Sequence, residues 1–414
     1  MTALQLSTKL RYRREQFGCV ISCDEEGVVR KFNRSAAFIL EQYLEPRDEP
    51  AVPQPLSDRD VRAFIAKCRE EGILVEETGT RDPILGTHNL DVTSFDQQLM
   101  SVPIGLEIEL TRRCLRKCTY CAYESHPRFE VSGELSASEW IEQITLASRR
   151  GVFAVRFTGG DPLLKDDFFD ILEAADRLRL IITIGSDFTA LTANAAEKMA
   201  ALSRLAVVQT TLDGPTPIIA DEQRGKGNFA KVVDGAALLR KYNIPFIVGM
   251  VVTNKNYHLV AETSRLCEDL GASRFLISPI YAAGRANSVM SLAPSTEEMK
   301  VAWDQYTRSS IAFNRSEEVN SDPIRLQLSD LLQPSDTFMR IDPYGFAYPS
   351  IKLPETQRSP SSNIREHDLI EVWRNSPILG AVRALPHVVS SFGPMVSLSD
   401  AIEALGGKHA GELQ

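Results

Sequence analysis

Residues 111–123 read Thr-Arg-Arg-Cys-Leu-Arg-Lys-Cys-Thr-Tyr-Cys-Ala-Tyr and hold three of the chain's seven cysteines, as Cys114-x3-Cys118-x2-Cys121. Three thiolates on one short loop can close around a metal or an iron–sulfur cluster. A four-iron cubane held by three thiolates keeps one iron without a protein ligand, and that iron can take a small molecule. Structural zinc is the other reading, and it wants a fourth ligand at a tetrahedral angle. There is no second CxxC, and the nearest histidine is His126. A disulfide leaves one of the three thiols over. The spacing favours a cluster and leaves zinc open.

With the aromatic Tyr120 just before the third cysteine, the run resembles the signature of radical S-adenosylmethionine enzymes. The resemblance implies that Cys114, Cys118 and Cys121 are catalytic and hold one [4Fe–4S] cluster. Its open iron would chelate the amino and carboxyl groups of S-adenosylmethionine. Reduction would then give a 5′-deoxyadenosyl radical that abstracts a substrate hydrogen atom. An electron donor such as a flavodoxin or ferredoxin is the implied partner.

The elements that must position this loop follow from periodicity. Strand patterns at 104–110, 154–158, 180–185, 205–212, 246–252 and 274–279 alternate with helix patterns at 136–150, 166–178, 192–202, 229–242 and 258–270. Six β/α units in series imply an α/β fold, a partial (β/α)6 TIM-like barrel over 103–315, with chemistry at the C-terminal strand ends. The cysteine loop follows the first strand, so motif and topology agree independently. A further helix at 295–314 starts at Ser295, with Glu298 in the capping-box position.

Other strand ends extend the resemblance. Gly159-Gly160-Asp161-Pro162 is similar to the family's glycine-rich motif, with Asp161 where Glu is usual, and implies contact with the methionine amino group. Ser186-Asp187-Phe188 stands where relatives tend to carry a Thr-Asn-Gly-like turn. Gln209, Thr211 and Asp213, then Arg224, resemble the strand and the arginine that meets the methionine carboxylate; a guanidinium suits a carboxylate by paired hydrogen bonds. A structural Asp213–Arg224 ion pair is the alternative. Pro279 to Ala286 looks like the Gly-Arg-Ala turn of peptide-modifying members. Asp187, Gln209, Tyr281 and Arg285 are candidate polar groups near the cavity.

Residues 1–80 read as a winged-helix-like α+β domain: strands at Leu10–Gln16, Gly18–Cys23 and 28–32, then helices capped by Asn33 and Ser57. The pattern resembles the leader-peptide recognition element of enzymes that modify ribosomally made peptides. There the leader adds as an extra strand and packs on the last helix. Val28, Val29, Arg30, Lys31, Phe32, Phe64 and Lys67 are the expected leader contacts. Residues 81–102 read as a linker. Residues 316–395 resemble a SPASM/twitch-like extension that has lost its auxiliary clusters, since no cysteine follows Cys267 and Ser350 stands where such an extension puts one. Residues 396–414 read as a tail, helical at most over 400–405.

Composition is ordinary for a globular chain, and the net charge of −9 argues against nucleic-acid binding. No apolar run approaches the roughly 20 residues of a membrane span, and no signal peptide is evident, so a cytoplasmic location is expected. The expected activity is hydrogen abstraction from a ribosomally synthesised precursor peptide, followed by an intrapeptide cross-link. Epimerisation needs a hydrogen donor; Cys267 reads as a packing residue rather than that donor. A peptide epimerase and a radical enzyme on a non-peptide substrate are the alternatives. A zinc-stabilised winged-helix regulator is the reading from another class.

Overall fold

The computed structural model describes residues 3–23, 28–52, 57–76, 100–309, 325–327, 338–349, 358–383, 389–390 and 393–394. Its first part runs β1 (Gln5–Leu6), β2 (Leu10–Glu15), β3 (Gly18–Cys23), β4 (Val28–Asn33), α1 (Arg34–Glu41), α2 (Asp58–Glu70) and β5 (Leu74–Val75). β2, β3 and β4 form an antiparallel meander, and β1 pairs with β5. The helix starts obey the capping signals. Asn33 accepts from the Ala36 amide, and Ser57 with Asp60 forms a reciprocal capping box. Leu10, Tyr12, Cys19 and Ile21 of the meander pack with Leu40, Val61 and Cys68 of the helices.

The second part runs β6 (Gly105–Thr111), α3 (Ala137–Arg149), β7 (Ala154–Gly159), α4 (Phe168–Arg177), β8 (Ile181–Gly185), α5 (Ala193–Ala200), β9 (Leu205–Thr211), α6 (Pro217–Arg224), α7 (Asn228–Lys241), β10 (Phe246–Val252), α8 (Val260–Asp269) and β11 (Arg274–Pro279). β6 to β11 pair in chain order, all in parallel, as a partial TIM-like barrel. Along β6, Leu106, Ile108 and Leu110 enter the main core, and Glu107, Glu109 and Thr111 alternate onto the other face. Cys267 is fully buried in that core on α8. The helix α6 was not expected. Pro215-Thr216-Pro217 reads as a turn, yet proline at the first helical position is a start signal.

The chain continues through α9 (Thr296–Thr307), β12 (Arg325–Gln327), β13 (Phe338–Ile341), β14 (Ala347–Pro349), α10 (Leu369–Asn375) and α11 (Pro377–Arg383). β13 pairs in parallel with β6, and β14 pairs antiparallel with β13. The extension therefore shares the barrel's sheet, which has eight strands in the order β11-β10-β9-β8-β7-β6-β13-β14. Gly105 lies opposite Phe338, and a Cβ there would sit 2.3 Å from the Phe338 ring. β12 returns to the first part and pairs antiparallel with β4, Arg325 opposite Arg30 and Gln327 opposite Val28. The meander sheet thereby gains a fourth strand.

The parts are joined by buried polar side chains. Arg11 donates to the carbonyls of Val152 (3.1 Å) and Leu178 (2.6 Å), and Arg13 to those of Gly151 (2.6 Å) and Pro103 (3.2 Å). The expected linker is corrected at its end: Met100, Ser101 and Val102 are buried. The cause is polar satisfaction. Ser101 donates its amide to Glu15 (2.8 Å), and the Trp373 indole donates to the Met100 carbonyl (2.9 Å). Most of the expected linker, Ser350 and the tail lie outside the described residues. The helix expected over 295–314 is shorter: it ends at Thr307 with Arg308 as its C-cap. Among the described residues, no helix is long and apolar enough to cross a membrane.

Candidate functional site

The cysteine loop leaves β6 at the C-terminal rim of the barrel, and a shell of neighbours fixes its backbone. Glu134 accepts from Thr111 Oγ1 (3.1 Å) and the Arg112 amide (2.8 Å) at the loop's start. Thr119 donates its amide to the Gln223 carbonyl (2.9 Å) and its hydroxyl to Gln223 Oε1 (2.6 Å). Arg116 reaches Thr189 Oγ1 (2.8 Å) and the Lys226 carbonyl (2.9 Å). Cys114 is buried, and Cys118 and Cys121 are half-buried, all three as free thiols. Burial pushes the Cys114 and Cys118 thiols up; at Cys118 the Arg224 guanidinium opposes that rise.

The glycines after β7 do make a close backbone approach, and the partner is the cysteine loop. Gly160 donates to the Thr111 carbonyl (2.7 Å) and Asp161 to the Arg113 carbonyl (2.9 Å). A Cβ on Gly160 would lie 2.1 Å from the Arg113 carbonyl oxygen, so the position requires glycine. The Asp161 carboxylate is occupied within the rim: it accepts from the Leu163 amide (3.1 Å) and Ser186 Oγ (3.0 Å). Asp187 accepts from the Thr189 amide (2.8 Å) and puts its other oxygen 3.7 Å from the Cys114 sulfur. Phe188 has φ +64°, a left-handed backbone that a glycine would adopt freely and a bulky residue adopts at a cost. Its buried ring presses on Gly235, where a Cβ would come within 2.5 Å. That packing offsets the strained turn.

Across the loop, the Tyr120 hydroxyl donates to the Asp213 carboxylate, which also accepts from the Val251 amide (2.9 Å). Arg224 Nε stands 3.6 Å from Asp213, and the guanidinium lies 6.0 Å from the Tyr120 ring centroid. The Asp213–Arg224 ion pair therefore exists. It leaves donors over: Nε and Nη1 of Arg224 are buried without a hydrogen-bond partner among the described residues, as is Gln209 Oε1. Gln209 and Thr211 border Gly249 of the neighbouring strand. Buried polar groups left unpaired are rare, and a ligand is one way to satisfy them.

Two cavity candidates part company. Tyr281 is exposed at the rim. Arg285 holds the cysteine loop, its guanidinium donating to the carbonyls of Cys118 (2.9 Å) and Ser125 (2.8 Å). Sequence reasoning also missed Arg116, Glu134 and Gln223. Arg116 lies between the cysteines and could have been singled out there; the other two carry no local signal.

In the first part, Phe32 and Phe64 meet edge to face at 6.2 Å between β4 and α2. Glu71 pairs with Arg30 and, at 3.0 Å, with Lys67. These four expected leader contacts thus line one seam. The side chains of Val28, Val29 and Lys31 lie outside the described residues.

Residues 108–267 match the Radical SAM superfamily. The PqqA peptide cyclase of Rhodopseudomonas palustris is 31% identical over 194 residues, which cover 46% of this chain and 50% of that one. An AdoMet-dependent heme synthase of Oleidesulfovibrio alaskensis is 30% identical over 193 residues, 46% of this chain and 49% of that one. The chain spans about half the length of these curated relatives. In fold, it is similar to Streptococcus suis SuiB bound to its precursor peptide SuiA, with a TM-score of 0.64 at 17% identity over 94% of this chain and 92% of that one. The cofactors of the matched domain are an iron–sulfur cluster and S-adenosylmethionine. The donor set fits them: three thiols on one loop, a glycine-tight backbone beside it and a buried guanidinium with free N–H groups. Among the described residues, no group of three or more His, Cys, Asp or Glu side chains is gathered as a single-ion site. Residues 108–267 are a radical SAM domain, homologous to peptide-modifying enzymes of that superfamily.

Proposed function

We propose that the chain is a radical S-adenosylmethionine maturase of a ribosomally synthesised precursor peptide, with Cys114, Cys118 and Cys121 as ligands of one [4Fe–4S] cluster. The observation that supports it best is the rim itself, where the cysteine loop, Gly160, Asp187 and the Tyr120–Asp213–Arg224 group meet above parallel strand ends. When bound, the cluster and S-adenosylmethionine supply a 5′-deoxyadenosyl radical that abstracts hydrogen from a peptide carbon.

The chain's own residues bind, orient and shield. Arg224 offers its unpartnered Nη1 to the methionine carboxylate, and Asp213, 3.6 Å from Nε, keeps that guanidinium in place. Tyr120, locked by its hydrogen bond to Asp213, fixes the loop face next to the third cysteine. Carbonyl groups around Gly159 and Gly160 and the Ser186–Asp187 turn serve the amino end. Gln209 and Thr211 line the space between cofactor and substrate. The substrate leader runs along the seam of Arg30, Phe32, Phe64 and Lys67. A leader that pairs with β4 itself displaces β12 from that edge.

The reaction read as best supported is an intrapeptide cross-link: one hydrogen atom leaves the peptide in 5′-deoxyadenosine, and the second electron and proton would pass to the oxidised cluster or to an outside acceptor. The fully buried Cys267, sealed in the core on α8, is not a hydrogen donor to a substrate at the rim, which disfavours epimerisation through it. A flavodoxin or ferredoxin supplies the electron. The test is anaerobic reconstitution with iron and sulfide, then dithionite and S-adenosylmethionine. Wild type forms 5′-deoxyadenosine and Cys118→Ala does not. Equal product from both refutes the reading. With the precursor peptide added, a loss of two hydrogens marks a cross-link, and an unchanged mass with an inverted residue marks epimerisation.

A further inference from the structure

Arg285 and Gly284 follow β11, five strands from β6 in the order of the sheet, and yet among the described residues their polar contacts reach the cysteine loop or their own turn. Gly284 has φ +55°, and a Cβ there would lie 2.5 Å from the Ala122 carbonyl oxygen and 2.7 Å from that of Cys121. The Arg285 amide donates to the Cys121 carbonyl at 3.0 Å. Its side chain donates from Nε to the Cys118 carbonyl at 2.9 Å and from Nη2 to the Ser125 carbonyl at 2.8 Å. One residue thus holds the backbone of two of the three cysteines and closes on the end of the loop. The same turn is anchored apolarly, with Ile280 and Ala286 packed on Tyr120.

We propose that Arg285 is a positioning residue for the cluster: it fixes Cys118 and Cys121, and its permanent charge favours the reduced state of the centre they hold. The inference rests on the cluster assignment made above. Two physical effects act together. Carbonyls that accept from a charged donor are held more strongly than by neutral bonds, because charge-assisted hydrogen bonds are roughly twice as strong. Reduction adds negative charge, and a guanidinium against the ligand-bearing backbone stabilises added negative charge where water is partly excluded. Arg116 grips the other end of the loop without touching the Cys118 or Cys121 carbonyl, so the two arginines are not redundant.

The experiment compares wild type with Arg285→Ala, Arg285→Gln, Arg285→Lys and Gly284→Ala. Amide hydrogen exchange of the apo-protein reads the grip without any cofactor. Amides of 118–125 are expected to exchange at least tenfold faster in Arg285→Ala and Gly284→Ala, with the strand amides of 154–159 and 181–185 unchanged. Redox titration of the reconstituted protein reads the charge. Arg285→Ala and Arg285→Gln shift to more negative potential, while Arg285→Lys stays nearer wild type. Wild-type loop exchange in Arg285→Ala overturns the grip, and an unshifted potential in both neutral variants overturns the charge effect. If Arg285→Ala does not fold, Gly284→Ala and Arg285→Gln decide both points. A wild-type protein that takes up no cluster refutes the cluster assignment, and the apo-protein exchange still judges the grip separately.

Discussion

Removing Arg340 tests how the extension supports the loop. Arg340 is buried on β13 and binds Glu109 of β6 at 2.7 Å, with its guanidinium 4.8 Å from the Tyr348 ring centroid and 5.8 Å from that of Tyr123. Glu109 is fully buried, and its second oxygen keeps only Arg112, at 3.3 Å. Breaking a buried pair from one side costs about 3–5 kcal/mol when the remaining charge is left uncompensated; Arg112 still faces Glu109, so that range is an upper one here. At about 2–4 °C per kcal/mol for a domain of some 200 residues, Arg340→Met should lower the midpoint of apo-protein unfolding by up to roughly 6–20 °C. In the double variant Glu109→Gln/Arg340→Met no carboxylate is stranded, and Gln still accepts from Arg112. That protein should be more stable than Arg340→Met alone, with a coupling of about 1–3 kcal/mol in a double-mutant cycle. Scanning calorimetry and urea titration of the four proteins supply the numbers. A shift below 2 °C for Arg340→Met, or strict additivity, refutes the account of the pair. Glu109 stands two residues before Thr111, where the cysteine loop begins, so Arg340→Met should also retain less iron after reconstitution.

Three other outcomes are expected. The Glu139 carboxyl is held down at about 2 by hydrogen bonds from Arg365 and then the Ser136 amide, so its contribution is complete above the ordinary value of about 4.3 and is lost as pH falls from there towards 2. Arg365→Ala should therefore flatten the acid loss of stability in that window, by about 1 kcal/mol or less for a pair this exposed, read from urea midpoints at pH 5 and pH 3. Gly235→Ala pushes a methyl into the Phe188 ring and should destabilise by about 1–3 kcal/mol, whereas a neutral result would show that the ring moves freely. Trp373→Phe leaves the Met100 carbonyl without its donor and should cost about 1–3 kcal/mol by urea titration, with no change in cluster content.

The barrel was legible because its signals are local. Strand 246–252 carries an apolar run and strand 274–279 an apolar centre at Phe275, Leu276 and Ile277, and both are found at those bounds. The capping residues Ser57, Ser136 and Ser295 mark the starts of their helices to the residue. The cysteine spacing and the strand-end position of Gly160 and Asp213 were also readable, since motif and topology agree. What was not readable depends on pairing over long separations. Nothing around Phe338 states that it will lie beside Gly105, and nothing near Arg325 points to Arg30. Arg285 was readable only as a polar group near the cavity, because the carbonyls it satisfies come from a loop 160 or more positions earlier.

For the leader proposed above to pair with β4, β12 would make binding a competition. Residues 325–327 occupy that backbone edge, and a rival within the same chain competes without a cost of association. A peptide added as a free solute must exceed that handicap before it registers as bound. Binding measured on residues 1–80 alone would omit the rival and overstate the affinity of the whole chain. The ratio of the two dissociation constants would then report how firmly the chain occupies its own docking edge.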